Sequence, residues 1–90
     1  MSIISAQISV YGLGGTDTAA AIRAFLGVLQ KRGVRYESGT MSTIVWGDQE
    51  AIWQALRQGY ETASNLGPTV MQVTVSNACP LPDTDGESAQ

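Results

Sequence analysis

YESGTMSTIVWGD, residues Tyr36 to Asp48, reads as two short strands folded back on each other, and the fold turns on it. "VRYESGT" has strand composition, Gly39 marks a turn, and "STIVW" returns as the next strand. Between the apolar ends stand Thr40, Ser42 and Thr43, grouped around one methionine. A hairpin facing only water could carry Lys and Glu there. Neutral hydroxyls suit a surface partly buried against a small ligand or another subunit.

Outward from this hairpin, each side continues into a helix. On the N-terminal side, "TDTAAAIRAFLGVLQKRG" puts Ile22, Phe25, Leu26 and Leu29 at helical spacing, with Thr16 or Thr18 as the expected N-cap and Gly33 as the stop. On the C-terminal side, Asp48 is the expected N-cap and Glu50 falls in the first turn, where the helix dipole favours it. Ile52, Leu56, Gly59 and Ala63 then form an apolar stripe that runs towards a stop at Gly67 and Pro68. The outermost segments alternate with a period of two. "IISAQISVY" sets Ile4, Ala6, Ile8 and Val10 against Ser5, Gln7, Ser9 and Tyr11, and "TVMQVTVSN" sets Met71, Val73 and Val75 against Gln72, Thr74 and Ser76.

The order is strand, helix, strand, strand, helix, strand. Right-handed crossovers place both helices on one face of an antiparallel four-stranded sheet, which is the α+β, ferredoxin-like βαββαβ sandwich. The domain is expected over residues 1–80. Residues 81–90, the Pro-rich and then acidic end of "PLPDTDGESAQ", have nothing to bury and are expected to form a disordered tail.

That fold leaves the second sheet face without a helix. Because the apolar alternates must point at the helices, the open face of the outer two strands carries Ser5, Gln7, Ser9 and Tyr11 beside Gln72, Thr74 and Ser76, with no charge among them. Together with the "TMST" corner, these groups donate and accept hydrogen bonds without charge, which fits a neutral heteroaromatic ring and equally fits a sheet-to-sheet dimer contact. In the hairpin's second strand, Thr43 and Val45 alternate with Ser42, Ile44 and Trp46, and either set could face inward.

Composition narrows the function classes. Ninety residues make one small core that leaves much apolar surface uncovered, and only 14% of the residues are charged against roughly 25% in ordinary soluble domains. Self-association is therefore expected. The net charge is −3, and the five basic residues stand at 23, 31, 32, 35 and 57 without forming a patch, so nucleic acid is not an expected partner. With no apolar run near the roughly 18 residues of a membrane span, and no signal-like start, the expected location is the cytoplasm and no membrane partner is expected. One cysteine, Cys79, and no histidine leave no common zinc site within one subunit, and no cofactor is expected.

Catalysis has little to draw on. "YGLGG" lacks a full phosphate-loop spacing and reads as a flexible turn. Of the acidic residues in the folded part, Asp17, Asp48, Glu50 and Glu61 lie on or beside helices, which leaves Glu37 as the one placed to serve a small dimeric α/β-barrel enzyme. The expectation is a protein that is not an enzyme. An oligomeric regulatory module is the other alternative. Trp53 and Tyr60 share a helix side and suit a subunit contact.

"ISVYGLGG", "MSTIVWGD" and "VMQVTVSNACP" together resemble the small thiamine and hydroxymethylpyrimidine binding proteins of the YkoF-like type, over residues 4 to about 80. The most specific matches are Ser42, Thr43, Ile44 and Gly47, and the pair Cys79 and Pro80. The resemblance implies a domain that binds thiamine or its pyrimidine half without transforming it, in assemblies where two such domains pair. One departure lies at the loop, where Tyr11 is followed by Gly12 rather than the proline frequent in the family. On this reading the binding residues are Gln7, Ser9, Tyr11, Ser42, Thr43 and Gln72. Ser42, Thr43 and Gln72 can answer the ring nitrogens and exocyclic amine of an aminopyrimidine, and Tyr11 or Trp46 can attract the thiazolium cation. No Arg or Lys cluster awaits a pyrophosphate.

Overall fold

The computed structural model describes residues 2–40 and 42–78. The elements follow the expected order: β1 (Ile3–Gly12), α1 (Thr18–Arg32), β2 (Arg35–Ser38), β3 (Thr43–Asp48), α2 (Gln49–Ser64) and β4 (Thr69–Ser76). The strands form one antiparallel sheet in the order β2-β3-β1-β4, the ferredoxin-like arrangement. Cys79, Pro80 and the tail expected over 81–90 lie outside the described residues.

The core lies between the sheet and the two helices. Ile4, Ala6, Ile8 and Val10 of β1 are all buried, as their alternation requires, and meet Ala21, Phe25 and Leu29 of α1 and Ile52, Ala55, Leu56 and Ala63 of α2. Phe25, Ile8, Leu29, Ile52 and Val45 are the largest fully buried side chains, each contributing about 1.5 to 3 kcal/mol by leaving water. In α1, Ile22 and Leu26 are only partly buried, and Ala21 and Val28 complete the inward stripe.

The helix ends correct two expectations. The N-cap of α1 is Asp17, whose carboxylate accepts from the N–H of Ala19 at 2.9 Å and of Ala20 at 3.4 Å. Thr18 is already helical, and its hydroxyl accepts instead from the Gly12 N–H at 2.9 Å, tying the end of β1 to the helix start. At the other end, α2 stops at Ser64 rather than at Gly67. The N–H groups of Asn65, Leu66 and Gly67 each reach back three residues, to Thr62, Ala63 and Ser64, a tighter winding that uses up the last carbonyls before Pro68. Gly33 does cap α1, in the left-handed conformation at φ 72°, with its N–H donating to Gln30.

The surroundings of Gly12 leave no room for a side chain after Tyr11. A Cβ on Gly12 would stand 2.5 Å from the Thr16 carbonyl oxygen, and that is backbone, which cannot swing aside. The Gly12→Ala variant is accordingly expected to lose about 1 to 3 kcal/mol of stability. Urea unfolding measures it, and an unchanged midpoint would show that the loop relaxes freely.

Candidate functional site

Sheet register creates the site. β3 pairs with β1 from Ile3↔Asp48 to Ile8↔Thr43, whereas β1 continues beside β4 as far as Gly12↔Thr69. One corner of the sheet is therefore absent next to Ser9 and Val10. The chain swings through that corner as the β2–β3 turn, closed by the Gly39 N–H on the Ser42 carbonyl at 2.8 Å. From above, α1 lowers Ile22 and Phe25 towards it.

The result is a cavity of about 70 Å³. Ile8, Val10, Ile22 and Phe25 form its apolar side. The rest of the lining includes Ser9, Ser38, Thr40, Ser42 and Thr43, and among the described lining residues none is charged. Such a space is far smaller than the roughly 300–1,000 Å³ of a pocket enclosing a drug-sized ligand. It suits one end of a small ligand, a single flat ring with hydrogen-bonding edges.

Register also settles the phase of β3. Directly paired residues of antiparallel strands share a sheet face, so Thr43 and Val45, opposite Ile8 and Ala6, face the helices. Ile44 and Trp46, opposite Gln7 and Ser5, face the open side. Thr43 is buried at 7% exposure, while Ser42 lies just before the strand and accepts from Gln7 Nε2 at 3.1 Å. These neighbours thus serve both sides: Thr43 belongs to the helix side and Ser42 links the cavity to the open face.

Of the six residues selected from sequence, Ser9, Ser42 and Thr43 line the cavity, and Gln7, Ser9 and Gln72 line a shallow depression on the open face with Thr74. Tyr11, paired with Val70 and exposed, lines neither. Tyr11 and Trp46 sit at opposite ends of the open face. Trp46 pairs with Ser5, six residues along β1 from Tyr11, a span of about 20 Å at strand rise, so one small cation cannot use both rings. The Trp46 indole is also nine-tenths buried, and its N–H has no acceptor among the described residues.

The open face is less neutral than β1 and β4 suggest. β2 adds Arg35 beside Trp46 and Glu37 beside Ile44. Glu37 thus stands exposed at the edge strand and outside the cavity lining. Sequence reasoning placed Thr40 in the hydroxyl corner but missed Ser38, Ile22 and Phe25 as lining residues. The signal for Ser38 was present, because a hairpin turning about residues 40 and 41 sets Ser38 opposite Thr43, as observed.

A sequence profile described as the YKOF-related family matches residues 3–82. The chain belongs to the YKOF-related family. None of the curated proteins compared matches it. Solved structures share the YKOF-related chain's fold at low identity. A Streptococcus pneumoniae protein is 20% identical, with 98% of this chain and 99% of that one covered and a TM-score of 0.77. A Bacillus cereus domain of unknown function is 18% identical, with 91% and 84% covered and a TM-score of 0.75. A Thermotoga maritima protein described as a candidate for thiamine biosynthesis or salvage is 19% identical, with 81% of each chain covered and a TM-score of 0.72. At such identities the likeness concerns the fold. Among the described residues of this YKOF-related chain, no helix is long and apolar enough to cross a membrane.

Proposed function

We propose that this YKOF-related protein binds thiamine, or its hydroxymethylpyrimidine half, without transforming it, and does so as a cytoplasmic homo-oligomer. The observation that carries the reading is the cavity at the missing sheet corner, where five Ser and Thr residues share the lining with four apolar ones and no charged residue stands among the described lining. An aminopyrimidine is flat, neutral and edged with acceptors and a donor, so hydroxyls can satisfy its rim while Phe25 and Ile22 cover its plane. Family membership and the name of the Thermotoga maritima relative point the same way. A cavity of about 70 Å³ would take the pyrimidine end alone, and the thiazolium would lie outside, towards Gln7 and the open face. Thiamine diphosphate would gain nothing there, since no Lys or Arg is among the described lining residues of the cavity or of the neighbouring depression.

Calorimetric titration with thiamine, hydroxymethylpyrimidine and thiamine diphosphate tests this directly. The first two are expected to bind at micromolar to sub-millimolar levels, the third no more tightly than thiamine. No binding below millimolar by any of them would remove the ligand assignment.

Self-association follows from the other half of the surface. Gln7, Gln72 and Thr74 are exposed on a sheet face that no helix covers, and Trp53 on the outer side of α2 is 48% exposed. A second copy laid over the β1 and β4 part of that face would bury neutral groups, with Arg35 and Glu37 of β2 left towards the rim. Light scattering at micromolar concentration is expected to give a dimer or a larger species, and a monomer would refute it.

A further inference from the structure

Gly59 of α2 lies across the core from the cavity, yet it touches the same ring that walls it. A Cβ placed on Gly59 would stand 2.5 Å from Phe25 Cδ1 and 2.7 Å from Cε1, closer than real carbon contacts allow. The ring of Phe25, 1% exposed, is therefore seated directly against the α2 backbone, and Phe25 is also one of the residues that line the cavity. Interiors are packed as densely as organic crystals, so a ring pushed off α2 can move only where space exists. For Phe25 that space is the cavity.

We propose that Gly59 is a positioning residue that sets the depth of the ligand cavity by letting Phe25 withdraw onto α2. The inference rests on the reading of the cavity as the pyrimidine site. It gives the absence of a side chain at 59 a role in binding as well as in helix packing. A methyl group there drives the ring forward and closes the space in which a pyrimidine edge would reach Thr43 and Ser38. Shortening residue 25 to leucine makes room for that methyl group and leaves the cavity open.

The test compares wild type, Gly59→Ala, Phe25→Leu and Phe25→Leu/Gly59→Ala by two readouts. Methyl NMR of Ile8, Val10 and Ile22 follows the ring through its ring current whether or not any ligand binds. Calorimetry with hydroxymethylpyrimidine follows the site. For Gly59→Ala the methyl signals are expected to shift and affinity to fall roughly tenfold or more, the free-energy equivalent of losing one good contact. Because Phe25 also covers the ligand, the double variant is read against Phe25→Leu alone, whose affinity it is expected to match within about threefold, a non-additivity that general loss of stability does not produce. Unmoved methyl signals in Gly59→Ala, or moved signals with affinity retained, overturn the proposal, as does a folded double variant that binds much more weakly than Phe25→Leu alone. If Gly59→Ala does not fold, binding by the double variant supports the proposal, and failure of the double variant to fold or bind overturns it. If wild type binds no hydroxymethylpyrimidine, the ligand reading fails by itself, and the methyl signals still decide whether residue 59 sets the ring.

Discussion

Replacing Phe25 by alanine is expected to lower the stability of the domain by about 3 to 5 kcal/mol. The ring is fully buried and lies where three parts of the fold meet: the β1 residues Ile8 and Val10, its own helix through Ile22, and the α2 backbone at Gly59. Truncation removes the transfer energy of a phenyl group and leaves a void. Here the void joins the existing cavity of about 70 Å³, so it is poorly placed to collapse, and the upper half of the range is expected. A domain of this size has a total stability of only about 5 to 15 kcal/mol, so the variant should stand close to unfolding at room temperature. Urea denaturation followed by tryptophan fluorescence measures the loss. A cost under about 1 kcal/mol would mean the ring does not hold the sheet and helices together.

Thr43→Val is expected to weaken binding of hydroxymethylpyrimidine or thiamine roughly five- to more than a hundredfold, the equivalent of about 1 to 3 kcal/mol for a buried polar partner left without its hydrogen bond. Shape is nearly unchanged by the substitution. Thr43 is buried opposite Ile8 on the helix side and lines the cavity, so a methyl group is tolerated there and the fold should be affected far less than binding. The contrast between the two measurements is the test. Lost affinity with a preserved unfolding midpoint supports a direct role, whereas unchanged affinity would move the ligand to the open-face depression around Gln7 and Gln72.

Much of this molecule is legible in short stretches of its sequence. In β1 the alternation of Ile4, Ala6, Ile8 and Val10 specifies which side turns inward, because burying a one-residue slip would place Ser5, Gln7 and Ser9 in the core. Asp48 before α2 and Gly33 after α1 mark helix ends through bonds made within a few residues, and both are found in those roles. Asp17 was missed because three candidate caps adjoin one another, and the choice among them falls to a non-local bond. Thr18 is drawn away by the N–H of Gly12, six residues upstream.

The amino-acid order by itself determined the element sequence, the buried face of β1 and the side of the sheet left without helices, since each follows from local periodicity and the handedness of crossovers. The phase of β3 and the cavity came only with the tertiary structure. "MSTIVW" offers two sets of alternates of similar character, and nothing within it ranks one above the other. The decision lies in pairing with residues some thirty-five positions away, Ile8 with Thr43 and Ala6 with Val45, which turns Thr43 towards Phe25 and ends β3 short of β1. A cavity is a mismatch in length between elements that meet only in the fold. Periodicity describes each strand alone, so it carries no record of where one strand stops beside another.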